Sequence, residues 1–314
     1  MTPLESAVVA FFCSVVAGFL GSLLGVGGGI IVVPSLTLLL GVPIRFAIGA
    51  SIVSVIATSS GAAVAYVRKH LSNIRVGMLL EVTTTAGALA GAFLAGRIGG
   101  GVLHIIFACV MIYTAVSMLR FNHAEGRADG VPDRLADRLA LHGSFHDEST
   151  VRASPATQGI EATRQQGTET LGSKTARDAK ILNASSTGSE VSYRVRRTPS
   201  GLALSLAAGV ISGLLGVGGG IIKVPTMNLV MGMPLKVASA TSNFMIGVTG
   251  AASAGVYFAR GDVNPFVTGP VALGVLLGST IGSGMLGRIS SSVLRMAFVL
   301  LLLWVAIQMF MKGI

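Results

Sequence analysis

Apolar residues fall into long runs separated by short polar breaks and by one long polar stretch. In the first half the runs cover roughly Leu4–Leu24, Arg45–Val67, Arg75–Gly96 and Gly101–Leu119; later they recur at roughly Gly201–Leu215, Lys236–Ala259, Asn264–Gly287 and Ser291–Met311. Each is near the ~20 residues that a helix needs to cross a bilayer core. Between the first and second run of each half lies a shorter apolar piece, Ile30–Leu40 and Ile221–Met231, opened by glycines and interrupted by proline. The first run has Glu5 and no basic segment before it, and it is too long for a signal-peptide core, so it reads as a retained span.

The two halves superimpose at a constant offset of 191 residues without a gap. Ser22–Pro34 reads SLLGVGGGIIVVP and Gly213–Pro225 reads GLLGVGGGIIKVP, identical at 11 of 13 positions. The register continues through Pro43/Pro234, Arg45/Lys236, Ser51/Ser242, Thr58/Thr249, Tyr66/Tyr257, Asn73/Asn264, Gly87/Gly278, Gly91/Gly282 and Arg97/Arg288. Two unrelated apolar stretches would not keep glycine, proline and charge in one frame, so the pattern predicts an internal duplication. The expected fold is an all-α polytopic membrane protein. It has two repeats of about four transmembrane helices, each with a Gly/Pro-broken re-entrant segment, joined by a long hydrophilic loop.

Three regions follow: a first membrane repeat over 1–119, a bridge over 120–198, and a second repeat over 199–314. The bridge is rich in Ser, Thr, Ala and charged residues and lacks a sustained apolar run, which predicts that it is mostly disordered. Within it, Asp133–Leu141 (DRLADRLAL) has leucines at helical spacing, suited to a short amphipathic helix against lipid or a transient solvated one. His142 and His146 have the i, i+4 spacing of a zinc pair, but Gly143 weakens a helix there and no third ligand stands nearby, so no metal site is expected.

Charge sharpens this picture. Residues 120–198 hold 12 basic and 10 acidic side chains, whereas the remaining 235 residues carry 11 basic and 3 acidic ones. With 11% charged residues against about 25% in soluble domains, the chain cannot cover a water-facing surface of normal polarity. Nucleic-acid binding needs clustered cations on a folded face, often with aromatics, and is not expected at 6% aromatic content. If the short glycine-proline pieces dip in and return on the same side, each half has four spans and the repeats are parallel. If those pieces cross, each half has five spans and the repeats are inverted. On the four-span count one face collects Arg68, Lys69, Arg75, Arg120, Arg194, Arg196, Arg197, Arg260 and Lys312, and the other collects Arg45, Arg97, Lys236, Arg288 and Arg295. The positive-inside rule then puts both termini and the bridge in the cytoplasm, in a multi-pass protein of the cell membrane.

The chemistry concentrates at the broken pieces. Gly25, Gly27, Gly28 and Gly29, with Gly216, Gly218, Gly219 and Gly220, give up helix propensity of about 1 kcal/mol each relative to alanine. Pro34 and Pro225 then remove a backbone donor. Polar backbone at membrane depth is tolerated where protein buries it or a watery cavity receives it, so paired breaks point to a transport site. Free N–H groups without side chains favour an anion. Gly87, Gly91, Gly278 and Gly282, spaced by four on straight spans, instead suit tight helix packing. Neither a dinucleotide fingerprint nor a phosphate-binding P-loop fits, because Ile30 and Ile222 stand where glycine is required.

Lys223 stands where the first repeat has Val32, and either pairs with an anionic substrate or snorkels to the interface. Ser51, Thr58, Ser242, Asn243 and Thr249 are candidates to complete hydrogen bonds to an oxyanion. Glu81 is the carboxylate well inside a span, a candidate proton carrier or an interfacial residue six positions after Arg75. No hydrolase elbow is present and no cofactor is implied.

The doubled GLLGVGGGIIKVP-type motif, the Met233-Pro234-Leu235-Lys236 loop and Ala240-Thr241-Ser242 resemble the sulfite exporter TauE/SafE family across both apolar halves. The resemblance implies a non-enzymatic permease that moves sulfite, organosulfonates or related sulfur-containing anions. It carries the site onto Gly25, Gly27, Gly28, Gly29 and Pro34 with Gly216, Gly218, Gly219, Gly220 and Pro225. The expected partners are a small anionic substrate and the lipid bilayer. The 79-residue bridge and Gly49-Ala50-Ser51 in the first repeat depart from the family pattern. A receptor whose bridge recruits a partner is the alternative.

Overall fold

The computed structural model describes residues 3–68, 71–120, 133–139, 141–146, 190–285 and 291–313. The expected spans are present as α1 (Pro3–Leu24), α3 (Ile44–Arg68), α4 (Ile74–Ala95), α5 (Gly100–Arg120), α7 (Thr198–Leu215), α9 (Leu235–Ala259), α10 (Pro265–Met285) and α11 (Ser291–Gly313). Among the described residues six helices are long and apolar enough to cross a membrane. The short pieces are α2 (Gly29–Pro34) and α8 (Gly220–Pro225), each running on into a wider π-helical turn, Ser35–Leu39 and Thr226–Val230. A prolyl nitrogen cannot close the normal helical bond, and the wider turn follows directly after it in both halves.

Burial follows the logic of a lipid solvent. Large apolar side chains face outward, including Phe12, Val82, Phe93, Leu277 and Trp304, while Ser51, Thr58, Glu81, Lys223, Thr241, Ser242, Asn243 and Thr249 are buried. Small residues set the closest helix pairs, α4 with α7 and α1 with α10. A Cβ on Gly87 would lie 2.3 Å from the Leu206 carbonyl and one on Gly91 would lie 2.0 Å from that of Val210. On Gly278 it would lie 2.0 Å from the Val15 carbonyl, and on Gly282 2.3 Å from Ser22 Oγ. These four glycines therefore serve packing, as their spacing suggests.

Contacts between helix ends give each helix its direction. Arg45, at the start of α3, donates to the Ile98 carbonyl between α4 and α5 (3.3 Å). Gly49 abuts the Asp262 carbonyl between α9 and α10, and Gly101 of α5 lies beside the Gly313 carbonyl that ends α11. One end of the bundle thus gathers the α4–α5 turn, the α9–α10 turn and the close of α11. Helix α1 runs parallel to α10, with Phe11 beside Gly274 and Val15 beside Gly278, so Pro3 starts at this same end. At the opposite end, the Asn73 N–H donates to Thr241 Oγ1, and Asn73 Nδ2 donates to the Leu141 carbonyl and the Tyr193 hydroxyl, each at 2.9 Å.

This corrects the four-span count. The described ends of the chain lie at one end of the bundle and the described residues of the bridge lie at the other. The cause is the short piece: Gly28 sits beside Thr58 in the middle of α3, whereas the Thr37 carbonyl accepts a hydrogen bond from Lys312 near the close of α11. Helix α2 and its π turn therefore lead from beside the middle of α3 to the end where α11 closes, and α3 runs parallel to α1. The second half runs in the opposite sense, from the bridge end to the far end.

The expectation of a disordered bridge falls largely outside the described residues, but 133–139, 141–146 and 190–198 include helix and strand. Helix α6 (Arg134–Arg138) is capped by Asp133, whose Oδ1 accepts from the Leu135 N–H (3.0 Å). Ala136 and Leu141 are buried with Val76, Leu80, Met227, Met231 and Val237, so one face of this segment docks on protein, while Leu135 and Leu139 stay exposed. Strands β1 (Gly143–His146) and β2 (Glu190–Tyr193) pair antiparallel, and Asp133 Oδ2 accepts from the Thr198 N–H (2.6 Å), tying the two edges together. Burial alone would raise the Asp133 carboxyl, but the N–H groups of Thr198, Leu135 and Ala136 outweigh it and hold it below the ordinary value. His142 lies beside Asp137 (2.7 Å) and its Nδ1 accepts from the Val195 N–H (3.2 Å). His146 is on a strand, not a helix, which removes the geometry of an i, i+4 metal pair.

Candidate functional site

The two glycine runs meet at the centre of the bundle. A Cβ on Gly29 would lie 2.7 Å from the Gly216 carbonyl, and one on Gly220 would lie 2.5 Å from the Gly25 carbonyl and 2.7 Å from Val26 Cα. Glycine is required here by backbone crossing backbone. The contact is locked reciprocally: Ser51 Oγ donates to the Gly216 carbonyl and Ser242 Oγ donates to the Gly25 carbonyl, each at 2.7 Å. The matched serines thus tie each central helix to the glycine run of the other half.

Matched tyrosines add a second pair of ties, which the sequence showed in register but which were not among the expected site residues. The Tyr66 hydroxyl donates to the Ser22 carbonyl (2.9 Å) and the Tyr257 hydroxyl to the Gly213 carbonyl (2.8 Å). Both rings are fully buried. Asn243 Nδ2 also donates to the Ser22 carbonyl (2.9 Å), while its Oδ1 is buried with no partner among the described residues. Gly27 and Gly218 pack against Ile246 and Val55.

At the next layer the halves diverge. In the first, the Gly28 N–H donates to Thr58 Oγ1 (3.3 Å) and Gly28 keeps a right-handed φ of −66°. In the second, Thr249 is engaged elsewhere, and Gly219 takes a left-handed φ of +72°. Lys223 Nζ donates to Thr249 Oγ1 (2.7 Å) and to Glu81 Oε2 (3.3 Å), and Thr249 Oγ1 donates to Glu81 Oε1 (2.5 Å). Thr85, a further partner that sequence reasoning missed, donates to the same carboxylate oxygen (3.0 Å). Lys223 is 0% exposed and Glu81 6%, so neither snorkels to an interface. The Lys223 stem lies against Gly219, with Cε 3.4 Å from where a Cβ there would sit.

The structure therefore brings together Gly25, Gly29, Ser51, Gly216, Gly220 and Ser242 at the crossing. Gly219, Lys223, Glu81 and Thr249 form a polar cluster to one side. Pro34 and Pro225 lie one turn further along, within the return helices. A cavity of about 270 Å³ lies elsewhere, at the bridge end, lined by Ser72, Asn73, Arg75, His142, Ser144 and Tyr193.

Comparison with known proteins gives a consistent result. The family model described as "Sulfite exporter TauE/SafE" matches residues 10–309. The chain is 24% identical to the "Probable membrane transporter protein YunE" of Bacillus subtilis (strain 168), over 98% of this chain and 99% of that protein. It is 36% identical over 114 residues to a "Probable membrane transporter protein" of Haemophilus influenzae, covering 33% of this chain and 42% of that one. No solved structure matches.

Proposed function

Because this chain belongs to the sulfite exporter TauE/SafE family of membrane transporters, which are not enzymes, we propose that it carries a small oxyanion past the crossing of its two glycine runs. Sulfite, an organosulfonate or a related sulfur-containing anion is the cargo that the family description supports. The observation that carries this reading is the backbone crossing at the core of the bundle with Lys223 beside Gly219. Gly25, Gly27, Gly28, Gly29, Gly216, Gly218, Gly219 and Gly220 let an anion approach main-chain N–H groups. Lys223 and Thr249 supply charge and a hydroxyl, and Ser51, Thr58, Ser242 and Asn243 hold the two runs in place.

The two halves are read as inverted repeats, each with a half-length return segment. Alternating exposure then comes from rocking one half against the other about the crossing. In the structure the runs touch, so passage requires them to part.

The bridge is assigned to the cytoplasm and the chain ends to the other face. With both return segments counted, Arg68, Lys69, Arg75, Arg120, Arg194, Arg196, Arg197, Lys236, Arg288 and Arg295 fall on the bridge side by chain order. Arg45, Arg97, Arg260 and Lys312 fall on the other, ten cations against four.

The test is counterflow of sulfite and methanesulfonate in proteoliposomes. Gly28→Leu and Gly219→Leu, in preparations that still unfold cooperatively, are expected to abolish exchange. Unchanged exchange in both variants would remove the glycine runs from the transport path.

A further inference from the structure

We propose that Glu81, Lys223 and Thr249 form a charge-exchange site that couples one proton to one monovalent anion. A proton taken by Glu81 releases the Lys223 ammonium to the anion, and loss of that proton restores the ion pair and expels the cargo. The inference rests on the reading of the chain as an anion transporter.

The pair is buried and, as it stands, neutral: the two side chains are 0% and 8% exposed, with Nζ 3.3 Å from Oε2. An anion reaching Lys223 finds the ammonium already compensated. Adding it unaccompanied would set two negative charges on one positive charge in a low-dielectric interior, where Coulomb terms are large. Adding it together with a proton leaves the buried charge unchanged. In the exchange Glu81 COO⁻ becomes COOH by taking a proton from water, and the Nζ–H to Oε2 bond is replaced by one from Nζ–H to the anion. The new O–H has an acceptor in place, because Thr249 Oγ1 lies 2.5 Å from Oε1 and can turn its own proton to the Met245 carbonyl (3.2 Å).

The other half shows that the fold does not need this pair. At the 191-residue offset Lys223 corresponds to Val32 and Glu81 to Ala272, so both members are apolar there, and α2 and α10 still take the places that α8 and α4 take here. Buried ion pairs are commonly no more stabilising than apolar replacements, so a pair present in one half alone points to use rather than to support.

The surrounding ionisable groups are few. Helix α7 carries none, α9 carries Lys236 in its first turn and Tyr257 near its end, α8 carries Lys223, and α4 itself adds Arg75 in its first turn; α5, which touches α8, carries His104, Cys109 and Tyr113, and the bridge segment docked on Val76 and Leu80 carries Asp133, Asp137, Arg138 and His142. Arg75 is six residues from Glu81, about 9 Å along the helix, and Lys236 is thirteen from Thr249, about 20 Å. Lys223 is in contact with the carboxylate.

The experiment uses the full chain in lipid nanodiscs with methanesulfonate, a strong-acid anion whose charge does not change in the range tested, so any pH dependence belongs to the protein. Wild type is expected to take up one proton per anion bound, read as a pH rise in weakly buffered solution. Its affinity should fall about tenfold per pH unit above the titration midpoint of the site. Glu81→Gln should bind without proton uptake and without that slope, and Lys223→Met should not bind. The double variant Glu81→Gln/Lys223→Met, uncharged like Val32 and Ala272, should unfold near the wild-type temperature and bind no anion. Should the single variants fail to fold, proton uptake by the wild type decides the matter. Binding without proton uptake, or a wild-type slope in Glu81→Gln, overturns charge exchange and leaves the transporter reading standing. A folded wild type that neither binds nor exchanges methanesulfonate or sulfite at any pH overturns the anion reading, and charge exchange with it.

Discussion

Gly28 and Gly219 occupy matching places in identical GVGGGII stretches, yet their backbones differ, with φ of −66° and +72°. The difference goes with one side chain: where Val32 leaves Thr58 free to meet the Gly28 N–H, Lys223 engages Thr249 and the Gly219 N–H loses that partner. An alanine at 28 would meet neighbours at 3.4 Å, ordinary contact, in a conformation that any residue adopts. At 219 the added Cβ would lie 3.1 Å from Ser212 Cβ, in a left-handed conformation that costs an L-residue about 1–2 kcal/mol. Gly28→Ala should therefore unfold within a degree or two of wild type, whereas Gly219→Ala should unfold several degrees lower in the same detergent; equal shifts would mean that the two runs share one conformation. The glycine runs, the serine and threonine pairs and the odd lysine were all legible in the sequence, because each is a local departure from an apolar background. The partner of that lysine was not. Glu81 is 142 positions away, and only the packing of α4 against α7 and α9 brings them together.

Hydropathy located the helices to within a few residues, because length and apolarity are what a bilayer demands of a span. It could not say which way each one runs. Direction depends on whether an eleven-residue piece returns the chain across half the bundle, and Gly29–Leu39 is too short to register as a span. The bridge edges escaped for a related reason: α6 has five residues, and its anchors Ala136 and Leu141 find their apolar partners on α4, α9 and the second return segment. Helix seams offer a sharper test of the element level. A Cβ on Gly213 would lie 1.9 Å from the Ala88 carbonyl, so Gly213→Ala must force α7 away from α4, while Gly255 on α9 has nothing within 4 Å. Gly213→Ala is expected to cost about 2 kcal/mol or more through lost packing, and Gly255→Ala to gain up to about 1 kcal/mol from helix propensity. Thermal unfolding of the two variants side by side reads both signs, and a neutral Gly213→Ala would contradict the close seam.

At the scale of the molecule, the direction of the helices turns a weak charge bias into a strong one. Counting four spans per half divides the loop cations nine to five and places every hydrophilic end on one side. Counting the return segments divides the same cations ten to four, because Lys236, Arg288 and Arg295 join the bridge side while Arg260 and Lys312 leave it. Since lysine and arginine excess marks the cytoplasmic face, this division supports the proposed assignment of the bridge to the cytoplasm and of the chain ends to the other face. The contact of Gly101 with the Gly313 carbonyl makes the claim mechanical as well as statistical. Helix α5 begins there and ends at Arg120, 21 residues or about 30 Å later, where the bridge starts. An epitope tag after Ile314 should therefore be reached by antibody or protease in intact spheroplasts. A tag inserted between residues 160 and 170 of the bridge should be reached only after lysis. Detection of both tags on the same side would restore the four-span arrangement and separate the packing seen here from the protein in its membrane.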